Sequence, residues 1–275
     1  MPFPAGLAAL NHRDFRVFWS GQLVSQLGTW MQRVGQAWLV LELTNSALKL
    51  GIITALQFMP VLVFSVLAGA VVDRVVKRRL LILTQTVLML QAAVLTALVW
   101  TGIVRYWHVA ILATVYGLAN AFDMPTRQSF VAELVGRRDL MNAIALNSAM
   151  FNSARLVGPA VAGLLIARFG LAQAFLFNAV SFLSVIIALG ALRTDGHPQP
   201  STGATLLEQI AGGLRYAAAT PVIRFILSLL LSVSFFVINF NVLIPLITKH
   251  VLHADARTSE RRWDEAAGLS LDVVA

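Results

Sequence analysis

Long apolar runs recur along this chain, and short basic stretches separate them. The runs at 15–41, 48–72, 80–101, 107–122, 140–167, 172–192 and 223–247 are predominantly apolar. About 20 residues of helix cross roughly 30 Å of hydrocarbon, so each run is long enough for one passage, or nearly so. Helix is the expected form, because lipid offers no partner to a free backbone amide and these runs lack the strict alternation of barrel strands. The pattern therefore predicts an all-α integral membrane protein: a six-helix bundle over 1–193, a central loop over 194–221, a seventh helix over 222–252 and a polar tail over 253–275. Within the central loop, Gly196, Pro198, Pro200, Ser201, Thr202 and Gly203 read as a linker, and 206–219 as a short amphipathic surface helix.

Charge fixes the orientation. Counted by alternating sides, Arg13, Arg16, Arg74, Lys77, Arg78, Arg79, Arg127, Arg137, Arg138, Arg193, Arg215 and Arg224 fall on one side, and only Lys49, Arg105, Arg168 and Lys249 on the other before the tail. The excess places the N-terminus in the cytoplasm and the chain in the inner, cell membrane. The net charge of +8 is explained by the same bias, so no nucleic-acid partner is expected. Composition agrees: 58% of the 275 residues are hydrophobic and 12% charged, with a mean hydropathy of +0.76. Without cysteine there is no disulfide, thiolate metal site or thiol nucleophile. No metalloprotease helix, nucleophile elbow or phosphate-binding loop occurs either, so no enzyme activity, cofactor or metal is expected. The end differs from the rest: eight charged residues fall in the last 23, against 26 in the preceding 252. A frameshifted or truncated end is expected there.

Polar residues inside spans are costly, so their placement carries the functional reading. Gln22, Gln26, Thr29, Arg33 and Gln36 recur at steps of three and four in span one, and Tyr116, Asn120, Asp123 and Arg127 do so in and just after span four. Span five carries Ser148, Asn152 and Arg155, and span seven Ser228, Ser232 and Asn239. These stripes predict a wet cavity lined by Gln22, Gln26, Arg33, Asn120, Asn152 and Arg155. Asp123 is the carboxyl expected to take and release a proton, with Arg155 as its partner in that task. The span-five run Gly158-Pro159-Ala160-Val161-Ala162-Gly163 predicts a close helix-packing seam. A weak echo between Ala68–Arg74 and Ala162–Arg168 fits two inverted three-helix repeats.

The loop after span two reads Gly69-Ala70-Val71-Val72-Asp73-Arg74-Val75-Val76-Lys77-Arg78-Arg79. It resembles the cytoplasmic loop motif of the major facilitator superfamily, with Val76 standing at the second glycine. The stretches Gln22–Gln32, Trp38–Ala47, Phe122–Phe130 and Ala145–Gly163 are similar to the siderophore and macrolide exporters of that superfamily. The resemblance implies a secondary active transporter that exports an amphipathic small molecule by proton antiport. It implies a cytoplasmic gate at Gly69, Asp73, Arg74, Lys77 and Arg78. It also implies a twelve-span plan of which this chain supplies the first half and one further helix, leaving a C-terminal half as a missing partner. Two other readings remain open: an inactive half-transporter, and a seven-span receptor or light sensor with Lys249 near its last helix.

Overall fold

The computed structural model describes residues 3–198 and 206–236. A short 3-10 helix, Ala5–Asn11, precedes α1 (Arg13–Thr44), α2 (Ala47–Val72), α3 (Lys77–Trp100), α4 (Tyr106–Phe169), α5 (Leu171–Ala191), α6 (Leu206–Ala219) and α7 (Pro221–Phe236). Among the described residues there is no strand. The second half of the expected seventh helix, Lys249, and the tail at 253–275 lie outside the described residues, as do Asn239 and the Pro200–Gly203 portion of the linker.

Four of these helices are long and apolar enough to cross a membrane: α2 over Ala47–Ser65, α3, α4 and α5. The 64 residues of α4 would reach about 96 Å if straight, far more than one passage. At Gly136 the backbone turns to φ 69° and ψ 176°, a conformation that a residue with a Cβ resists. The turn splits α4 into two arms, residues 106–135 and 137–169. The expected loop between spans four and five is therefore a single residue. Pro125 does not end the first arm, so Asp123 and Arg127 sit within helix; Arg127 belongs with the bundle and not with the loop in which it was counted.

Turn chemistry sets the other boundaries. Asn45 closes α1 in the left-handed conformation, φ 46°, which asparagine tolerates better than most residues. The Ser46 hydroxyl then accepts from the Lys49 amide at the start of α2. Val76 occupies φ −69°, ψ 111°, ordinary extended backbone. A valine thus serves where the superfamily pattern has glycine.

α1 carries too many charged and polar residues to rank with the apolar spans, yet its 32 residues reach about 48 Å. It is the central strut of the bundle. Gly21, Gly28 and Gly35 recur every seven residues and face α5, which runs antiparallel. A Cβ on Gly21 would lie 2.8 Å from the Ser184 carbonyl oxygen, one on Gly28 would lie 2.4 Å from Ser181 Oγ, and one on Gly35 would lie 3.0 Å from the Phe175 ring. The close approach brings polar groups into register: Ser184 Oγ donates to the Gly21 carbonyl at 2.8 Å. Asn178 Nδ2 donates to Gln32 Oε1 at 2.6 Å, and Gln32 Nε2 donates to Gln91 Oε1 of α3 at 3.0 Å. Lipid leaves no hydrophobic gain between helices, so van der Waals fit and such bonds supply the attraction.

Apolar clusters close the bundle above and below this polar layer. One gathers Phe15, Phe18, Phe130, Leu134 and Leu189, with Phe18 edge-on to Phe130 at 5.8 Å. Another gathers Leu39, Leu41, Ile53, Leu95 and Phe175. At the end of the bundle where α1 begins, Asp14 accepts from the Arg193 amide at 3.0 Å, the Thr194 amide at 2.9 Å and the Thr194 hydroxyl at 2.8 Å. Partial burial pushes the Asp14 carboxyl up, but these donors and the Arg13 charge outweigh it and hold it below its ordinary value.

Gly21→Ala and Gly28→Ala should each destabilise the detergent-solubilised protein by about 1–3 kcal/mol through overpacking. Gly51→Ala, at a site where a Cβ meets nothing within 4 Å, should leave the thermal unfolding midpoint unchanged or raise it. The depressed Asp14 carboxyl contributes stability that is present above its unfolded value of 3.8 and is lost as pH falls through the lower folded one. In Asp14→Asn, that part of the acid dependence should vanish from unfolding midpoints measured below pH about 4.

Candidate functional site

A cleft of about 570 Å³ opens between α1 and the two arms of α4. Each wall follows from helical spacing. Gln22, Gln26, Thr29 and Arg33 fall on the face of α1 turned away from its glycines, and Tyr116, Asn120, Met124 and Arg127 form the facing stripe of the first arm. Asn147, Ser148, Phe151 and Asn152 come from the second arm, while Leu88 of α3 and Phe182 of α5 complete the lining. Gln22, Gln26, Arg33, Asn120 and Asn152 thus meet at one cleft. Arg155 does not join them: it is exposed and absent from the lining, lying almost one turn further along the second arm than Asn152, the last residue of that arm on the cleft.

Behind the cleft wall sits Asp123, fully buried. Its Oδ1 accepts from Thr84 Oγ1 at 2.8 Å and from Gln85 Nε2 at 2.7 Å. Its Oδ2 forms an ion pair with Arg127, one turn along the same helix. The other guanidinium nitrogen of Arg127 donates to Gln22 Oε1 at 2.7 Å. The expected pairing of Asp123 with Arg155 is therefore replaced by Arg127: an i, i+4 neighbour on one helix reaches the carboxylate directly. A buried carboxylate with a cation and two neutral donors is one of the few tolerable forms of charge inside a membrane.

The cluster expected as a gate divides in two. Asp73 is exposed at the end of α2, where its amide donates to the Gly69 carbonyl at 3.2 Å. Arg74 is exposed beside it, and a Cβ on Gly69 would meet nothing within 4 Å. Lys77 turns the other way and is fully buried. Its ammonium pairs with Glu133 at 2.7 Å and donates to the His197 carbonyl at 3.0 Å. Arg78 pairs with Asp195 at 2.7 Å and donates to the Gly190 carbonyl at 2.8 Å. The backbone follows: Lys77 N donates to the Gly196 carbonyl and Arg78 N to the Asp195 carbonyl, both at 3.1 Å. Residues 195–197, expected as the start of a linker, are thus pinned across the beginning of α3.

In the second arm, Gly158 faces α1 so closely that a Cβ there would lie 2.4 Å from Trp30 Cβ. Pro159 and Gly163 follow in helix, both half-buried. Sequence reasoning missed Thr84, Gln85 and Gln91 of α3 and Asn178 of α5, which hold Asp123 and Gln32 in place. Their signal was present. Thr84 and Gln91 recur seven residues apart on one helix face, but uncharged polar residues alone do not reveal which charge they serve. Among the described residues no group of acidic or histidine side chains could hold a metal ion.

A family model described as transmembrane secretion effector matches residues 4–259. The multidrug efflux pump Tap of Mycolicibacterium fortuitum is 32% identical over 210 residues, covering 74% of this chain and 51% of that protein. The staphyloferrin A transporter of Staphylococcus aureus is 31% identical over 176 residues, covering 63% of this chain and 44% of its own. Macrolide efflux protein A of Streptococcus pyogenes is 26% identical over 151 residues, 55% of this chain and 37% of that protein. The chain spans about half the length of the curated relatives it matches.

Glu133→Gln leaves the Lys77 ammonium buried without its carboxylate and should lower stability on the order of 2 kcal/mol. Asp73→Asn, on an exposed helix end, should stay within about 0.5 kcal/mol of the parent. Unfolding midpoints in detergent separate the two.

Proposed function

The chain belongs to the transmembrane secretion effector family of the major facilitator superfamily, and we propose that it exports an amphipathic small molecule from the cytoplasm by exchange with protons. It is a multi-pass membrane protein. The proposed orientation has the N-terminus in the cytoplasm and the bundle in the inner membrane, on the strength of the basic excess at that end. Relatives named as drug and siderophore transporters support a small-molecule cargo.

One observation carries the reading: a fully buried carboxylate is wired to the cleft through an arginine. Asp123 holds one nitrogen of Arg127, and Arg127 holds Gln22 with another. A proton on Asp123 cancels its charge and loosens its grip on the guanidinium. Arg127 then lets go of Gln22, whose amide is no longer held toward the cargo, and losing that proton restores the hold. Binding of cargo and of proton become exclusive, which is the requirement for exchange. Gln26, Asn120 and Asn152 supply neutral hydrogen-bonding groups to the same space. Asp73 and Arg74 at the exposed end of α2, with the Lys77–Glu133 and Arg78–Asp195 pairs on α3, are proposed as the cytoplasmic gate. Alternating access takes two bundles rocking about a central site, so a second six-helix bundle facing this cleft is part of the proposal.

In cells expressing the protein, efflux of a fluorescent amphipathic compound should rise with an inward proton gradient and collapse with an uncoupler. Asp123→Asn should flatten that pH dependence. Efflux in the variant that still follows the gradient removes Asp123 from the mechanism.

A further inference from the structure

The cleft carries an uncancelled positive charge. No aspartate or glutamate lines it, and its two charged lining residues are Arg33 and Arg127. The charge of Arg127 is met by Asp123. Arg33 has no acidic partner among the described residues. Its guanidinium lies instead over the Trp30 ring, 4.7 Å from the centroid. That platform is rigid: Trp30 is only 6% exposed, Gly158 packs against its Cβ, and Phe151 meets it edge-on at 5.7 Å. Stacking on the indole orients the guanidinium but does not neutralise it. A fixed cation inside a membrane span calls for a counter-charge, and a planar guanidinium fits a carboxylate through two parallel hydrogen bonds.

A second group points the same way. Gln22 lines the cleft at 2% exposure, and its Nε2 has no hydrogen-bond partner. Its Oε1 is taken by Arg127, so what it can still offer is a donor. Eleven residues separate Gln22 from Arg33, roughly 16 Å along α1. The lining also presents apolar surface from Leu88, Met124, Phe151 and Phe182.

We propose that the cleft selects elongated amphiphiles with a carboxylate at one end, bound by Arg33 on Trp30, and a neutral acceptor at the other, bound by Gln22. This names the cargo class for the export reading, on which it rests only in taking the cleft as the cargo chamber. Cationic amphiphiles are disfavoured, since they meet two arginines and no carboxylate on the lining. The anion end also lies about 16 Å from the Gln22 end, where Asp123 and Arg127 meet α1, so charge selection and proton coupling are separable.

The test is direct binding to the full chain in nanodiscs of zwitterionic lipid, read by fluorescence. The probes are a dansyl-labelled long-chain carboxylate, its methyl ester and its trimethylammonium analogue. The carboxylate should bind at least about tenfold more tightly than either analogue, the scale of one charge-assisted contact. Arg33→Gln should erase that preference and Arg33→Lys restore part of it. Gln22→Leu should weaken all three probes alike. Arg155→Gln, at an exposed position off the cleft, should change nothing, and matched unfolding midpoints should exclude misfolding. Equal binding of the ammonium probe, or a carboxylate preference that survives Arg33→Gln, overturns the proposal. Proton-driven efflux without any carboxylate preference would sink this inference alone. A carboxylate preference without proton-driven efflux would sink the export reading alone.

Discussion

The bundle depends on how closely α1 can approach α5. In water, burying apolar surface would hold two such helices together whatever the detailed fit. In lipid that gain disappears, because the surroundings are as apolar as the helices. What remains is contact at short range, and three glycines at seven-residue intervals provide it along α1. Seven residues is two helical turns less about twenty degrees, so the glycines stay on one face for the length of a passage. The backbones come near enough for Ser184 to bond the Gly21 carbonyl and for the Gln91–Gln32–Asn178 chain to form. With that face committed, the other polar face of α1 has to turn toward α4. The cleft is the result.

The chemistry of the cleft is set by which charges are cancelled locally. Asp123 and Arg127 neutralise one another one helical turn apart, and Thr84 with Gln85 absorb the remaining acceptor capacity of the carboxylate. Lys77 and Glu133 do the same at the start of α3, with the His197 carbonyl as a further acceptor. Arg33 is treated differently. It receives an aromatic surface in place of a counter-ion, which leaves its electrostatic demand directed into open space. Three basic residues on similar helices thus have three distinct environments, and only the last faces outward into the cavity with its charge unspent.

Much of this was legible from residue spacing. The stripe on span one became one cleft wall and the stripe on span four the other, because a period near 3.6 fixes a face irrespective of what lies opposite. The seam at Gly158 was legible as well, since small residues in a membrane helix have few uses besides close approach. Other features were hidden by the same reasoning. The gap between the runs at 107–122 and 140–167, with Arg127, Arg137 and Arg138 in it, suggested a loop, yet one glycine made the whole reversal and helix continued on both sides. Arg155 extended a stripe by one more step, and that step carried it off the cleft. Gln85, Gln91 and Asn178 looked unremarkable singly because their value lies in partners more than thirty residues away, which no local pattern records. The glycine heptad on α1 was visible in the letters but had no meaning until α5 was placed against it.

The elbow at Gly136 has one further consequence, for the order of assembly. The 3-10 segment at the amino terminus closes over the residues just beyond that elbow: the Ala9 amide donates to Asn142 Oδ1, Asn142 Nδ2 donates to the Gly6 carbonyl, and His12 meets Asp139 at 2.8 Å. More than 120 positions of chain separate these partners. The segment over residues 5–12 therefore lacks these partners until the two α4 arms have come together. That segment is thus a late fastening of the bundle, since closing so long a loop costs entropy that its few hydrogen bonds alone would not offset.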